Sequence, residues 1–349
     1  MTTLDERRAA ILKAIVQDYV RGGEPVGSKR LVEEWNLGVS PATVRSDMAA
    51  LEEAGLITHP HTSAGRVPTD AGYRYFVDTL SQTEPLRPEQ VAALEGLLMG
   101  SPDVEELLRR TSSVLSRLTR FAALVVAPRL DRSRLRHVEL VQLAPTSILA
   151  VFIVDTGRVD KRMLDLDAAV AEHDVQRARH AINDAVANLR LLQVPDVIAG
   201  VANGAPPEVQ PLVEAVAAAV RRGLAQAGDG DQLFVGGTAN MAGGGYFDRI
   251  EQVKSVFETL EEQVVVLRVL RDALQDDPAV RIGSELPLVE LAACSVVAAR
   301  YDAAGGSGGS VGVLGPTRMD YPKTLAAVQA VASSLEKALA ELTGASTPS

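Results

Sequence analysis

Seven residues carry most of the chemistry this chain offers to another molecule. Ser40, Ala42, Thr43, Arg45, Ser46 and Ala49 lie within residues 40–51, and Arg66 follows a short distance on. Hydroxyls, methyls and guanidinium groups at helical spacing do not move protons or electrons. They donate to and accept from base edges and phosphates. The stretch around them reads as a helix. Ser40 suits the N-cap, Pro41 the first helical position, where its missing N–H costs nothing, and Gly55 the stop. Val44, Met48 and Leu51 fall on one side, and Ala42, Arg45, Ser46 and Ala49 on the other. An outer face of small, polar and cationic side chains fits a DNA major groove, where bulk blocks approach. Taken alone, the same pattern describes an ordinary surface helix, so its neighbours decide.

Other chemistry is harder to find. His59 and His61 have no third metal ligand near them in sequence, and solvated histidines are the better reading. Cys294 lies in an apolar, strand-like run and reads as a buried thiol, not a nucleophile. The glycines of residues 304–309 lack the lysine and hydroxyl residue that a phosphate-binding loop requires. Gly236-Gly237 and residues 243–245 lack the strand–turn–helix context of a dinucleotide site. The acidic pairs Asp165/Asp167 and Glu261/Glu262 read as solvated faces. No catalytic constellation, metal site or cofactor site is expected.

The elements before and after residues 40–51 supply the missing context. Thr3-Leu4-Asp5-Glu6 is a capping box that opens a helix with apolar pairs Ile11/Leu12, Ile15/Val16 and Tyr19/Val20. Gly22-Gly23 and Pro25 end it. Residues 28–35 form a short helix that turns Leu31, Val32 and Trp35 inward, and residues 36–39 make the turn into the next one. After Gly55, residues 56–59 and 66–68 are two short strands about a small-residue turn, with Arg66 just past the tip. Residues 69–77 begin a helix that packs aromatics beneath them. Helix, short helix, tight turn, polar-faced helix and two-stranded wing together describe a winged helix-turn-helix.

Composition narrows the partner. The chain has 349 residues, 46% hydrophobic and 23% charged, with a net charge of −10. Residues 1–80 themselves carry nine lysines and arginines against eleven acids. DNA affinity must therefore come from a local patch, not from a basic field. No apolar run is long enough to cross a bilayer, the N-terminus does not read as a signal peptide, and a single cysteine excludes an internal disulfide. A cytoplasmic protein without membrane contact is expected.

Beyond a polar, proline-punctuated boundary at residues 81–88, two helices follow, the second capped by Ser101-Pro102. Strands are expected at residues 122–127, 138–143, 147–155 and 158–166, forming one antiparallel meander. Residues 167–230 switch to two long helices, 175–192 and 207–227. A strand at 231–236 and helical periodicity over 247–274 come next. Strands at 280–282, 294–300 and 310–314 then precede a final helix, 321–342. A sheet begun, interrupted by helices and completed later indicates one α+β domain with an insertion. Arg318 and Asp320 are expected to pair within the connection before the last helix.

Residues 40–45, 55–57, 61–69 and 72–74, together with Gly315-Pro316-Thr317-Arg318-Met319-Asp320-Tyr321, closely resemble the bacterial HrcA heat-inducible transcription repressors. The two blocks bracket nearly the whole chain. The resemblance implies an α+β multidomain fold: a winged helix at 1–80, a linker and connecting helix at 81–102, a GAF-like domain from 103–166 and 231–345, and an inserted dimerisation domain at 167–230. It further implies a homodimer on double-stranded DNA, at the CIRCE inverted-repeat operator of chaperonin and DnaK-type operons, with activity modulated by the chaperonin GroEL. In that setting Ser40, Ala42, Thr43, Arg45, Ser46 and Ala49 face the bases and Arg66 is the wing contact. A ligand-gated metabolic regulator, sensing a small molecule through the GAF-like domain, is the alternative.

Overall fold

The computed structural model describes residues 4–60, 65–80, 85–128, 133–227, 232–242, 247, 250–275, 279–303 and 308–343. Thr3, residues 61–64 of the wing tip, 81–84 of the boundary, 243–245 and 304–307 of the glycine runs lie outside them.

The first unit is α1 (Glu6–Gly22), α2 (Ser28–Trp35), α3 (Pro41–Glu53), β1 (Ile57–Thr58), β2 (Val67–Pro68) and α4 (Asp70–Asp78). Asp5 caps α1, its carboxylate accepting from the Arg8 N–H at 2.8 Å. Ile11, Leu12, Ile15, Leu31, Val44, Leu51, Tyr73 and Phe76 meet in one buried cluster. Trp35 packs partly buried against it, with the Arg21 guanidinium 5.1 Å from its ring centroid. β1 and β2 pair antiparallel, Ile57 opposite Pro68. Thr69 ties this wing root together. Its hydroxyl donates to the Gly55 carbonyl at 2.6 Å and accepts the Gly72 N–H at 3.2 Å.

The body follows with α5 (Pro88–Leu98), α6 (Val104–Thr119) and β3 (Ala122–Val126). Asp103, not Ser101, caps α6, accepting from the Glu106 N–H at 2.8 Å. Ser101 closes the preceding helix, donating to the Leu98 carbonyl at 2.9 Å. Next come β4 (Leu135–Ala144), β5 (Ser147–Val154), β6 (Val159–Asp165), α7 (Glu172–Val186), α8 (Val194–Gly204) and α9 (Gln210–Ala227). The chain returns through β7 (Leu233–Gly236), α10 (Ala239–Ala242), α11 (Ile250–Glu261), α12 (Gln263–Ala273), β8 (Val280–Ile282), β9 (Cys294–Tyr301), β10 (Gly309–Pro316) and α13 (Tyr321–Thr343).

The expected meander is split between two sheets. β3 joins a five-stranded antiparallel sheet of order β7-β3-β10-β9-β8, while β4-β5-β6 form a sheet of their own. The physical reason is burial on two faces against burial on one. Alternate residues of β3 enter different cores: Ala123 and Val125 pack towards α6 and α13, Ala122 and Leu124 towards α11 and α12. A strand covered on both sides reads as a continuous apolar run. β5 is buried only at every second residue, Ile148, Ala150, Phe152 and Val154, beneath α7, α8 and α9. The three-stranded sheet thus shares its core with the helical block. The expected helix 175–192 stops at Val186, before Asn188 at a φ of 63°, and Pro195 starts α8, which periodicity missed. α11 and α12 likewise break at Glu262 within the expected continuous helical stretch.

Cys294 is fully buried, and that burial pushes its thiol up to about 12, far from nucleophilic range. Gly72 is fixed by a close approach, since a Cβ there collides with the Leu56 carbonyl oxygen that accepts the Thr69 N–H. Gly96, exposed within α5, faces open space. Gly72→Ala is therefore expected to cost about 1–3 kcal/mol through forced displacement of the wing root. Gly96→Ala is expected to add about 0.5–1 kcal/mol through helix propensity. Denaturant unfolding of the two variants beside the parent checks both signs.

Candidate nucleic-acid interface

α3 is built as the periodicity implies. Ser40 caps it, its hydroxyl accepting the Thr43 N–H at 3.2 Å and lying 3.0 Å from the Thr43 hydroxyl. Gly55, at a φ of 74°, takes the left-handed turn that lets the Leu56 N–H reach back to the Leu51 carbonyl at 3.0 Å. Val44, Met48 and Leu51 are buried. Ser40, Ala42, Arg45, Ser46 and Ala49 are exposed, and Thr43 is half-buried. The structure thus brings six of the seven residues together along the capped first half and outer face of one helix. Ser40 and Thr43 spend part of their hydrogen-bonding capacity on the cap.

Arg66 is placed differently. Instead of reaching outward from the wing, its guanidinium folds back onto α3, with Nε 3.0 Å and Nη2 2.9 Å from Glu52 Oε2. Its Nη1 donates to His59 Nδ1 at 2.8 Å.

Asp47 is the residue that sequence reasoning passed over. It sits on the apolar side of α3 and is almost fully buried. Arg7 grips it with Nε at 2.8 Å and Nη2 at 3.2 Å, and Arg8 adds Nε at 3.4 Å. The signal was available, because an acid between Val44, Met48 and Leu51 demands a cationic partner. The Arg7 hydrogen bond, against the opposing effect of burial and with help from Arg8, holds the Asp47 carboxyl below the usual carboxylate range.

This pattern consumes most of the unit's positive charge. Arg7 and Arg8 go to Asp47, Arg30 to Asp18 and Glu34, and Arg66 to Glu52. Arg21 lies over Trp35, and Arg74 reaches into the body. Among the described residues of this unit, Lys13, Lys29 and Arg45 are left with neither an acidic partner nor a ring contact. Arg45 stands on the outer face of α3, and Lys29 is exposed in the first turn of α2.

The distant block at residues 315–321 sits where the winged unit meets the body. The expected Arg318–Asp320 pair is replaced by two other contacts. Asp320 caps α13, accepting the Lys323 N–H at 3.3 Å and pairing with its ammonium at 3.1 Å. Arg318 lies over the Tyr19 ring of α1, 5.8 Å from its centroid. Tyr321 packs on Tyr73 with ring centroids 5.7 Å apart. Arg74 Nε donates to Glu285 at 2.7 Å, its Nη2 to the Val280 carbonyl at 2.7 Å, and Asp70 accepts the Ser284 N–H at 2.8 Å.

A winged helix with a low-profile helix face, clasped to a larger α+β body, defines a DNA-binding transcription regulator. Residues 105–325 match the family described as HrcA protein C terminal domain, and residues 7–69 match the DeoR-like helix-turn-helix domain. The heat-inducible transcription repressor HrcA of Acidothermus cellulolyticus is 47% identical over 97% of this chain and 99% of its own. That of Streptomyces avermitilis is 45% identical over the same shares. The chain belongs to the HrcA family of heat-inducible transcription repressors. Its fold is also that of a crystal structure described as a hypothetical protein, with a TM-score of 0.67 and 22% identity, covering 97% of this chain and 100% of that one.

A carboxylate held low by its partners stabilises the fold above the ordinary aspartate pKa, and that contribution is lost as pH falls through the lowered value. Asp47→Asn is expected to lower the melting temperature by a few degrees at pH 7. It is also expected to flatten the acid limb below about pH 4. Melting temperature against pH for the two proteins checks it, and parallel curves would remove Asp47 from this role.

Proposed function

We propose that this chain represses heat-shock chaperone operons as a homodimer. Each winged helix takes one half of an inverted-repeat operator of the CIRCE type. The carrying observation is the outer face of α3, where Ala42, Ser46 and Ala49 admit close approach and Arg45 supplies an uncommitted cation. Family membership supports the same reading and makes the chain a regulator of transcription, not an enzyme. Such a regulator acts in the cytoplasm, where the DNA is, and among the described residues no helix is long and apolar enough to cross a membrane.

The dimer reading is supported by the three-stranded sheet. Its inner face is covered by α7, α8 and α9, while its outer face carries the row Val141–Leu149–Met163 across all three strands. Val141, Leu143, Val159 and Met163 are each more than 40% exposed. A second copy laid against this face buries it and creates the two-fold axis that an inverted repeat requires. We accordingly place the inserted, self-associating unit at residues 133–227, wider than the 167–230 drawn from periodicity. GroEL dependence rests on the family resemblance, together with apolar surface of the kind a chaperonin holds. For the ligand-gated alternative, one observation speaks: a cavity of about 330 Å3 between α6 and β6, with Asp103, Glu105, Arg158 and Lys161 among its lining residues.

Two measurements test the reading. Gel-shift titration on an inverted-repeat chaperone promoter, with and without GroEL, is expected to show specific binding that GroEL strengthens. Arg45→Ala is expected to weaken operator binding by about 1–3 kcal/mol while leaving random DNA nearly unchanged. Equal loss on both would reduce Arg45 to a phosphate contact. Stabilisation by a metabolite, with no response to GroEL, would favour the alternative. For the dimer, the double variant Val141→Glu/Met163→Glu is expected to sediment as a monomer and to lose most operator affinity. A persisting dimer would move the interface elsewhere.

A further inference from the structure

We infer that Glu52 is a positioning residue that holds Arg66 in place of a DNA phosphate, and that operator binding passes Arg66 from Glu52 to the DNA backbone by exchange. The inference rests on the DNA-reading function proposed above and adds to it the route by which the wing arginine becomes available.

The geometry separates a fixed backbone from a movable side chain. Arg66 exchanges two backbone hydrogen bonds with Val26, at 2.8 and 3.0 Å. Gly65 lies so close to Pro25 that an added Cβ would stand 2.6 Å from its carbonyl carbon. The wing root is therefore anchored to the segment before α2. The Arg66 guanidinium, by contrast, is held only by side chains. Both Nε and Nη2 meet Glu52 Oε2, and Nη1 donates to His59 Nδ1. His59 Nε2 in turn lies 3.4 Å from Glu52 Oε1, so the three groups close a ring at the base of the wing.

A carboxylate offers a guanidinium the same paired-oxygen geometry that a phosphate offers. Glu52 also sits in the last turn of α3, the helix whose outer face carries Arg45 and Ser46. A polyanion approaching that face repels Glu52 and attracts Arg66, so its field favours the exchange. Exposure distinguishes this pair from the other paired acid of α3, Asp47. The Asp47 side chain is 4% exposed and stays with Arg7 and Arg8. The Glu52 side chain is 30% exposed and that of Arg66 17%, so water can solvate the carboxylate as the arginine leaves. Only the second pair can be opened without stranding a buried charge.

Glu52→Gln keeps an oxygen that accepts from Arg66 but removes the charge that competes with phosphate. On operator DNA it is expected to raise affinity several-fold at low salt. Because Arg66 reaches a phosphate in the parent complex too, the slope of log K against log salt is expected to become shallower by about 0.9 in Arg66→Ala, the equivalent of one phosphate contact, and to stay nearly unchanged in Glu52→Gln. Random DNA should gain by a similar factor, because a phosphate contact carries no sequence information. Glu52→Asp, which keeps the charge on a shorter arm, is expected to fall between. In an Arg66→Ala background Glu52→Gln should keep only the smaller gain that comes from lifting the repulsion of Glu52 itself, which closes a double-mutant cycle.

An Arg66→Ala protein that keeps the parent slope, or a Glu52→Gln protein that keeps the parent melting temperature yet binds operator no better, overturns the exchange and leaves the ring as a static brace. A gain that is undiminished in the Arg66→Ala background overturns it as well, since Arg66 is then not the group released. If Glu52→Gln fails to fold, the Glu52→Asp affinity and the Arg66→Ala slope decide. Absence of operator binding by the parent and every variant defeats the DNA-reading function itself, and the exchange with it.

Discussion

The helix α13 touches every major part of the molecule, and the remaining architecture hangs on it. Its 23 residues span about 35 Å. At its first turn Tyr321 is fully buried, its hydroxyl donating to the Thr317 carbonyl at 2.7 Å and lying 2.8 Å from that of Ser295. The same ring packs on Tyr73 of the winged unit. Midway, Val328, Val331 and Leu335 enter the core shared with the five-stranded sheet, and Lys337 pairs with Glu95 of α5 at 2.7 Å. At its last residue the Thr343 carbonyl accepts from Arg136 of β4 at 3.2 Å. Gly157, in the turn between β5 and β6, lies so near Thr343 and Val104 that an added Cβ would be about 3 Å from each. Reader, central sheet and three-stranded unit are thus joined through one continuous rod.

Charge imposes the second constraint. A unit with more acids than bases cannot hold DNA through its overall field, and the structure tightens that limit by pairing most of the bases internally. The Asp47 and Glu52 pairings tie α3 to α1 and to the root of the wing, and in doing so they commit Arg7, Arg8 and Arg66 to acids of the same unit. What remains on the outer face is a small number of directional groups. Such a surface gains little from non-specific attraction, so discrimination between sequences is a larger share of its binding energy. Doubling the contact through the proposed two-fold partner would raise the affinity, because two weak half-sites held together act as one strong site.

Much of this was legible in the sequence, and the parts that were not share a cause. α3 was readable because its cap, its apolar stripe and its stop are all local: Ser40, Val44–Met48–Leu51 and Gly55. The central sheet's strands were readable as apolar runs, but which sheet each joined was not. Strand partnership is settled by cores assembled from distant segments, and β3 and β4, neighbours in sequence, enter different ones. α8 was missed because its start depends on the left-handed Asn188 and on Pro195, single residues inside a helical background. The wing arginine was legible as a residue type but not as a conformation. Nothing between residues 52 and 66 announces that Glu52 folds Arg66 back onto α3. Asp47 shows the converse, a partnership with Arg7 and Arg8 across forty residues that an acid on an apolar stripe implies without naming the partner.

The clasp at β8 bears on how two half-sites could be read at once. Arg74 bonds both Glu285 and the Val280 carbonyl, Asp70 takes the Ser284 N–H, and Tyr73 rests on Tyr321, so α4 meets the body through four of the described contacts, and Arg318 over Tyr19 of α1 adds another. A hinge there would have to break charge-assisted bonds and uncover an aromatic pair together, which costs more than thermal motion supplies. The orientation of α3 is therefore inherited from the body. In a dimer built on the outer face of β4-β5-β6, the distance between the two recognition helices would follow from the whole path from α3 through α13 to that sheet. Operator spacing would then be a property of the body's packing as much as of the helix proposed to touch the bases. Under the proposed function, that would link the block at residues 315–321 to DNA recognition: Arg318 over Tyr19 and Tyr321 on Tyr73 would hold the angle at which Arg45 is presented.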